Sequence, residues 1–286
     1  MRYERPGTTK EADRSELPFA GGRSEPASGV RLEGVSKAFG SGSAALLALD
    51  NVSFEVSPGE LVCLLGASGC GKSTLLNLVA DLDKPTAGVI DVSGARVALM
   101  FQEPALFPWL TVTGNIELAL KMRGVPRRER RSRAAELLAS VHLGGFERKR
   151  PHQLSGGMRQ RVALARALAL TIDETAPAGA ASAGTVLLMD EPFGALDAMT
   201  RDLLHDEIER IWRERDLTIL FVTHNVREAV RLGDRVVLLS SRPGSVAEEF
   251  TVGLDRPRRI DSPEVATLAA AITDRLREEV SRHGRT

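Results

Sequence analysis

Residues 66–74 read Gly-Ala-Ser-Gly-Cys-Gly-Lys-Ser-Thr and match the G-x-x-x-x-G-K-S pattern of a phosphate-binding loop. Glycine lets such a loop fold tightly with its N–H groups facing phosphate oxygens, and the positive end of the following helix adds to the attraction. We expect Lys72 to reach the β- and γ-phosphates of a nucleotide and the Ser73 hydroxyl to bind Mg²⁺. The alternative is a glycine-rich turn between a strand and a helix that binds no ligand. The predicted nucleotide-binding residues here are Gly66, Ala67, Ser68, Gly69, Cys70, Gly71, Lys72, Ser73 and Thr74.

Polar side chains follow three further apolar runs, at the points where buried parallel strands are predicted to end. They are Gln102, the pair Asp190 and Glu191, and His224. Because ligands bind at the carboxyl edge of a parallel sheet, we expect these side chains beside the phosphate-binding loop. Asp190 would then help to bind Mg²⁺ and Glu191 would activate water, although a carboxylate at a strand end can also simply cap a turn. The three apolar runs are 97–101, 185–189 and 217–222.

Two weaker candidates for ligand contact lie elsewhere in the chain. Ser155 suits the N-cap of a predicted helix, and Gly156 and Gly157 would present bare backbone N–H groups to an anion. Taken alone, this segment is no more than a helix start. Phe39 lies ahead of the phosphate-binding loop and could stack on adenine, although a single aromatic residue is more often part of the core.

Composition narrows the classes of function. The chain has 286 residues, enough for one large domain or two small ones, and 43% of them are hydrophobic. Lys plus Arg and Asp plus Glu each number 38, so the basic excess typical of a nucleic-acid-binding protein is missing and no nucleic acid partner is expected. We find no run long enough to span a membrane and no apolar signal-peptide core, which predicts a cytoplasmic protein unless a partner holds it at a membrane.

The two cysteines are placed unfavourably for a structural disulfide. Cys63 lies in the predicted strand before the phosphate-binding loop and Cys70 lies in the loop itself. A reducing compartment is therefore expected. Cys70 is close to a helix N-terminus, where a thiolate can be reactive, but a small tolerated loop residue is the other interpretation.

The ends of the chain and one internal segment differ in composition from the rest. Residues 1–29 are charged and rich in Pro, Gly and Ser, which predicts a disordered tail. Residues 171–184 are rich in Ala and Gly and predict a flexible surface loop. Ser262 and Pro263 begin a predicted C-terminal helix with one apolar face. That face comprises Val265, Leu268, Ile272, Leu276 and Val280.

In their order and spacing, these motifs resemble those of the ATP-binding subunit of ABC transporters over residues 30–252. The resemblance makes Phe39 the adenine-stacking aromatic, Gln102 the Q-loop glutamine and His224 the switch histidine. The signature motif falls at 154–158, the Walker B strand at 186–190 and the D-loop at 194–197. The implied catalytic residues are Glu191, His224, Gln102 and Lys72; the implied Mg²⁺ ligands are Ser73, Gln102 and Asp190; and Ser155, Gly156 and Gly157 would contact the ATP of a second subunit.

The resemblance implies an α/β fold of the P-loop NTPase type, with a mainly parallel core sheet, an antiparallel β edge and an inserted helical subdomain at about 109–168. The ATPase domain would span 30–252, followed by a tail at 253–286 that carries an amphipathic helix. ATP and Mg²⁺ are the implied cofactors, and two copies of the chain, arranged head to tail, would enclose the ATP. The other implied partners are membrane permease subunits and, indirectly, a periplasmic or lipid-anchored solute-binding protein, which places the chain at the cytoplasmic face of the cell membrane.

The segments 107–109, 155–161, 191–197 and 241–244 resemble the nitrate, sulfonate and taurine importer group, and the segment 256–259 and the tail helix are most similar to the aliphatic sulfonate branch. Three residues or segments depart from the family pattern. Met158 after the signature glycines leaves the backbone donors in place, Asn225 follows the switch histidine, and the segment 171–184 is longer than the family norm but falls between motifs. The chain ends after one helix, whereas sugar importers of this family carry a further regulatory domain. The alternatives are an importer ATPase for nitrate, taurine, bicarbonate or another small solute, and more distantly a soluble ABC ATPase outside transport.

Residues 106–110 read Leu-Phe-Pro-Trp-Leu and come shortly after Gln102. Large apolar side chains are usually buried, so this segment is either part of the helical subdomain core or part of a groove for a permease helix. Trp109 is the residue that separates the two hypotheses.

Replacing Asp173 to Ser182 by a short Gly-Ser linker should leave the ATPase rate largely unchanged, because the closure entropy of a surface loop varies slowly with its length. The ATPase rate and the thermal unfolding curve of the purified variant measure this. A collapse of the melting transition would show that the segment packs on the body of the protein.

Overall fold

The apolar runs form a six-stranded sheet that carries most of the predicted site. The strands are β1 (Val30–Phe39), β2 (Leu46–Val56), β3 (Leu61–Leu65), β4 (Ala87–Asp91), β5 (Arg96–Met100), β6 (Thr185–Asp190), β7 (Thr218–Val222), β8 (Arg235–Leu239) and β9 (Val246–Thr251). This computed structural model describes residues 29–40, 42, 45–172 and 184–283. The order in the larger sheet is β5-β6-β7-β3-β8-β9, with the first five strands parallel and β9 antiparallel at the edge.

Both faces of this sheet are covered, which is why its central strands are continuous apolar runs rather than alternating ones. All residues of β3, β6 and β7 are buried. Along β3, the side chains of Leu61, Cys63 and Leu65 pack into one hydrophobic core, whereas Val62 and Leu64 pack into another. The predicted strand at 97–101 is one residue too long, since β5 ends at Met100 and the next side chain is exposed.

Most of the antiparallel structure forms a separate three-stranded sheet, in the order β2-β1-β4. Alternate residues of β2, namely Val52, Phe54 and Val56, are buried and face the second hydrophobic core. A β-bridge between Leu49 and Gly244 connects this sheet to the turn between β8 and β9. The sequence did not predict β4, because its mostly exposed residues show no alternation.

The helices are α1 (Lys72–Val79), α2 (Val112–Met122), α3 (Arg127–Ser140), α4 (Gly156–Leu170), α5 (Ala198–Arg215), α6 (Val226–Leu232) and α7 (Pro263–His283). Helices α2, α3 and α4 pack against one another, and each contributes a buried residue to the hydrophobic core that contains Leu61, namely Ile116, Leu138 and Leu164. They occupy the place of the predicted helical subdomain at about 109–168, whose boundaries stay a prediction. The short α6 was not predicted, because seven residues give little helical periodicity.

The C-terminal helix is confirmed. Its predicted N-cap, Ser262, accepts a hydrogen bond from the backbone N–H of Val265 at 3.3 Å. The apolar face packs at Val265 and Ile272, but Val280 near the end is 45% exposed. The tail predicted at 1–29, apart from residue 29, and residues 173–183 of the predicted loop lie outside the described residues. Within the described parts of the chain, we find no helix that is both long and apolar enough to cross a membrane.

Candidate active site

The phosphate-binding loop joins the buried end of β3 to the start of α1. Gly69 and Gly71 have φ angles of 76° and 98°, which residues with a Cβ rarely adopt. Lys72 is buried, and its Nζ donates to the carbonyl oxygens of Gly66 at 2.8 Å and Ala67 at 3.0 Å. The ammonium group is therefore held against the loop, beside the N-terminus of a helix, and this combination suits a polyphosphate.

Cys70 lies in the same loop but lacks the features of a reactive thiolate. Its side chain is buried, and its Sγ lies 3.8 Å from the Nζ of Lys72. Burial raises the pKa of the Cys70 thiol above its ordinary value, while Lys72 acts in the opposite direction. The structure therefore favours the interpretation of Cys70 as a small loop residue.

Both cysteines should resist a thiol reagent such as DTNB in the folded protein and react on unfolding. Cys63 and Cys70 are free and buried, and burial raises the pKa of each thiol, so that access and ionisation are both low. Counting reacted thiols with and without denaturant, at mildly alkaline pH, measures this. Rapid labelling of one thiol in the native protein, abolished by Cys70→Ser, would contradict the prediction.

Asp190 ends β6, and the Ser73 hydroxyl on α1 lies close enough to its carboxylate to lower the pKa of that group. Burial raises the pKa of Asp190 above its ordinary value, and Glu191 adds to this, whereas Ser73 and Lys72 lower the pKa. Carboxylate and hydroxyl oxygens are ligands that Mg²⁺ prefers, and the cation would offset the cost of burying the Asp190 charge. These two residues therefore fit the implied ion.

Glu191 and His224 come together at the carboxyl edge of the sheet, where their sequence positions place them. The Nδ1 of His224 lies 3.0 Å from Oε2 of Glu191. Glu191 has a φ angle of 43°, and its backbone N–H donates to the carbonyl of Val222 at 3.0 Å. Positive φ at a residue with a side chain is uncommon and is concentrated at functional sites. The sequence gives no sign of this strained backbone.

A buried polar network fixes the loop that carries His224. The carboxylate of Glu228 accepts a hydrogen bond from the Thr223 hydroxyl and lies 2.7 Å from Nε2 of the fully buried His205. The backbone N–H of Asn225 donates to the Thr223 hydroxyl at 3.0 Å, and the Asn225 side chain accepts from the backbone N–H of Glu228 at 3.2 Å. These bonds hold the backbone on both sides of His224.

A cavity of about 370 Å³ lies in front of the phosphate-binding loop. The predicted site residues that line it are Phe39, Ser68, Gly69, Gly71, Lys72, Ser73, Thr74, Gln102 and Glu191. Phe39 is 44% exposed, with the Nζ of Lys37 5.1 Å from its ring centroid. The core interpretation of Phe39 is therefore wrong, and its ring is accessible for stacking on a base. Five other predicted site residues do not line the cavity, namely Gly66, Ala67, Cys70, Asp190 and His224.

The signature residues Ser155, Gly156 and Gly157 do not line this cavity in the described chain. They begin α4, where the Ser155 hydroxyl accepts a hydrogen bond from the backbone N–H of Met158 at 3.2 Å. The predicted N-cap is confirmed. Their contact with an anion stays a prediction, because it requires the cavity of another chain.

Three residues for which no role was predicted connect these elements. The side chain of Gln160 donates to the carbonyl of Gln102 at 3.3 Å, and Arg166 donates to carbonyls two and three residues after Gln102 at 2.9 and 2.7 Å. Helix α4 is thereby tied to the segment that leaves β5. The third residue, Arg242, lines the cavity and donates from Nε to the carbonyl of Gly69 at 2.9 Å.

Comparison with known proteins agrees with the geometry. The family model described as ABC transporter matches residues 49–194. A nitrate import ATP-binding protein of Synechocystis sp. is 46% identical over 217 residues, covering 73% of this chain and 77% of the relative. An aliphatic sulfonates import ATP-binding protein of Shouchella clausii is 43% identical over 248 residues, covering 86% of this chain and 91% of the relative.

Among solved structures, the dimeric ATP-binding cassette MJ0796, in a post-hydrolysis state bound to ADP and Pi, is similar to this chain. The superposition has a TM-score of 0.68 at 32% sequence identity and covers 79% of this chain and 100% of that one. It confirms the predicted α/β fold. Family model, relatives and fold all agree, and the chain belongs to the ABC transporter ATP-binding family.

Proposed function

We propose that this chain is the ATP-hydrolysing subunit of an ABC importer and that ATP binds in the cavity bounded by Phe39 and Glu191. The proposal rests on one observation, which is that three independent features border the same cavity. They are the phosphate-binding loop with buried Lys72, the exposed ring of Phe39, and the carboxylate of Glu191, whose backbone has a positive φ angle. The phosphates would lie against the loop and the base against Phe39.

Each role in ATP hydrolysis is assigned to particular residues of this chain. Lys72 neutralises charge on the phosphates, and Ser73, Asp190 and Gln102 would hold Mg²⁺, which supplies further charge neutralisation when bound. Glu191 orients a water molecule and accepts its proton. His224, 3.0 Å from that carboxylate, orients it and can contact the γ-phosphate.

Two copies of the chain would complete the site. The exposed residues Ser155 and Gly156, with Gly157, lie at the N-terminus of the fifteen-residue helix α4, where backbone N–H groups are free to bind an anion. In a head-to-tail dimer they would contact the γ-phosphate held by the other copy. ATP binds the closed dimer preferentially and so stabilises it, and hydrolysis removes that stabilisation.

The permease partner would bind beside residues 106–110. Trp109 is 67% exposed, and its ring lies beside that of Phe107, with 5.5 Å between the two ring centroids. An exposed aromatic pair on a soluble chain is typical of an interaction site. The chain would then be a peripheral protein on the cytoplasmic face of the cell membrane, coupled through the permease to a solute-binding protein outside.

The proposed cargo is a small oxyanion, with aliphatic sulfonates as the first candidate. The sulfonate importer relative aligns with 86% of this chain, whereas the nitrate importer relative aligns with 73%. The higher identity of the nitrate relative, 46% against 43%, makes nitrate the second candidate. Taurine and bicarbonate are further alternatives within the same group.

Growth of a deletion strain separates these cargoes. A strain that lacks this gene should fail to grow with an alkanesulfonate as its only sulfur source and should recover when the gene is restored. Growth on sulfate serves as the control. Normal growth on the sulfonate together with failure on nitrate as the only nitrogen source would overturn the sulfonate proposal in favour of nitrate.

A further inference from the structure

Arg242 is the one side chain on the cavity wall, among those the structure describes, that combines a permanent positive charge with a place outside the nucleotide-binding motifs predicted from the sequence. It belongs to the turn between β8 and β9, about 170 residues from the phosphate-binding loop. Its Nε donates to the carbonyl of Gly69 at 2.9 Å. A Cβ on Gly69 would lie 2.5 Å from Nη2 and 3.2 Å from Cζ, so the guanidinium lies directly on the glycine.

Among the residues that the structure describes, no carboxylate is paired with the charge of Arg242. No acidic side chain in the described residues lies within ion-pairing distance of Arg242, and its one hydrogen-bond acceptor there is the neutral carbonyl of Gly69. Arg235, at the start of β8, shows the contrast, because it is paired with both Glu60 and Glu249. Arg242 keeps the N–H groups of Nη1 and Nη2 available for an anion.

Hydrogen bonds anchor both ends of the turn that carries Arg242, so the backbone from which its side chain extends is held in place. The Ser240 hydroxyl bonds to the carbonyl of Pro243 at 3.0 Å and to the Ser245 hydroxyl at 2.9 Å. The backbone of Gly244 pairs with β2 on either side of Leu49, through bonds of 2.9 Å to Ala48 and Asp50. The same stretch of β2 lines the cavity, so the turn, β2 and the phosphate-binding loop form one wall.

We propose that Arg242 is a further nucleotide-binding residue, whose guanidinium contacts a phosphate group of the ATP bound in this cavity. The inference rests on the proposed function, because it assigns Arg242 to the same nucleotide. A phosphate chain brings several negative charges to the loop. The planar guanidinium is already held against Gly69 before the nucleotide binds, so little additional side-chain entropy is lost when it contacts phosphate oxygens. Arg242 thereby complements Lys72, whose ammonium group lies within the loop itself.

The experiment measures displacement of a fluorescent ATP analogue from the full chain by ATP, ADP and adenosine. Arg242→Ala should weaken ATP and ADP binding by about tenfold, the value expected for a lost hydrogen bond to a charged group, and leave adenosine binding unchanged. Arg242→Gln can still donate to the Gly69 carbonyl but carries no charge, so it should weaken ATP binding equally. Arg242→Lys restores a charge and should recover part of the affinity.

Arg128→Ala is the matched control, because Arg128 is an exposed arginine on α3 away from the cavity. It should bind all three ligands like the unaltered chain. Equal loss of ATP and adenosine binding in Arg242→Ala, or full ATP affinity in Arg242→Gln, would overturn the proposal and leave Arg242 as a support for the loop. If the unaltered chain itself fails to bind ATP, the proposed function fails with it, and that outcome is distinct from a chain that binds ATP without using Arg242.

Discussion

Replacing Glu191 by glutamine should leave ATP binding intact and lower the rate of ATP hydrolysis by a factor on the order of 100 to 10,000, the usual contribution of a general base. The amide has the shape of the carboxylate and can still bond to His224, 3.0 Å away, but it cannot accept a proton from water. Since the bound ATP would not be consumed, the variant should accumulate as an ATP-bound dimer. Initial ATPase rates and size-exclusion chromatography with ATP and Mg²⁺ measure the two effects.

Glu136→Gln provides the control for removal of one carboxylate. Glu136 is exposed on α3, outside the residues that line the cavity, so this variant should hydrolyse ATP at the unaltered rate and show no excess of dimer. Hydrolysis by Glu191→Gln at the rate of the control would remove Glu191 from the role of base. A variant that loses ATP binding as well would instead indicate that the strained backbone at this position had changed.

The positions of the strand-end residues could be predicted because their cause is local. A continuous apolar run predicts a buried parallel strand, and the polar residues directly after it must lie at the carboxyl edge. Asp190 and His224 follow this rule, and the phosphate-binding loop is itself a strand followed by a turn and a helix. The chemical roles of these residues stay predictions, but the structure places Gln102 and Glu191 on one cavity wall with the loop.

The remaining features of the site depend on contacts between distant parts of the chain. Arg242 reaches the cavity from a turn in which Gly244 pairs with β2, and no local pattern encodes a bridge across about 195 residues. The network of Glu228 and His205 joins α6 to α5, and in the sequence both residues look like ordinary polar helix positions. The positive φ of Glu191 is equally invisible, because it is imposed by the surrounding fold.

Trp109→Ala should keep the fold and the basal ATPase activity and should weaken assembly with the permease by about 30-fold, the loss expected for an interface residue worth about 2 kcal/mol. The side chain is 67% exposed, so the subdomain-core hypothesis is wrong for Trp109 and its removal leaves no internal cavity. Asn115 fixes the backbone nearby, since its side chain accepts from the N–H of Phe107 at 2.8 Å. Pull-down of the permease, solute uptake and circular dichroism on the same preparation measure the three properties.

The path from Gln102 to Trp109 explains why uptake should fall while ATPase activity persists. Gln102 lines the cavity, and seven residues later the chain presents Trp109 on the surface, so one short segment contacts both the nucleotide site and the proposed permease site. Val280→Ala, which trims another exposed apolar side chain on α7, is the control and should leave pull-down and uptake unchanged. Equal pull-down and uptake for the tryptophan variant and this control would exclude Trp109 from the permease site. Loss of uptake with intact pull-down would instead assign Trp109 to coupling between the two sites rather than to assembly.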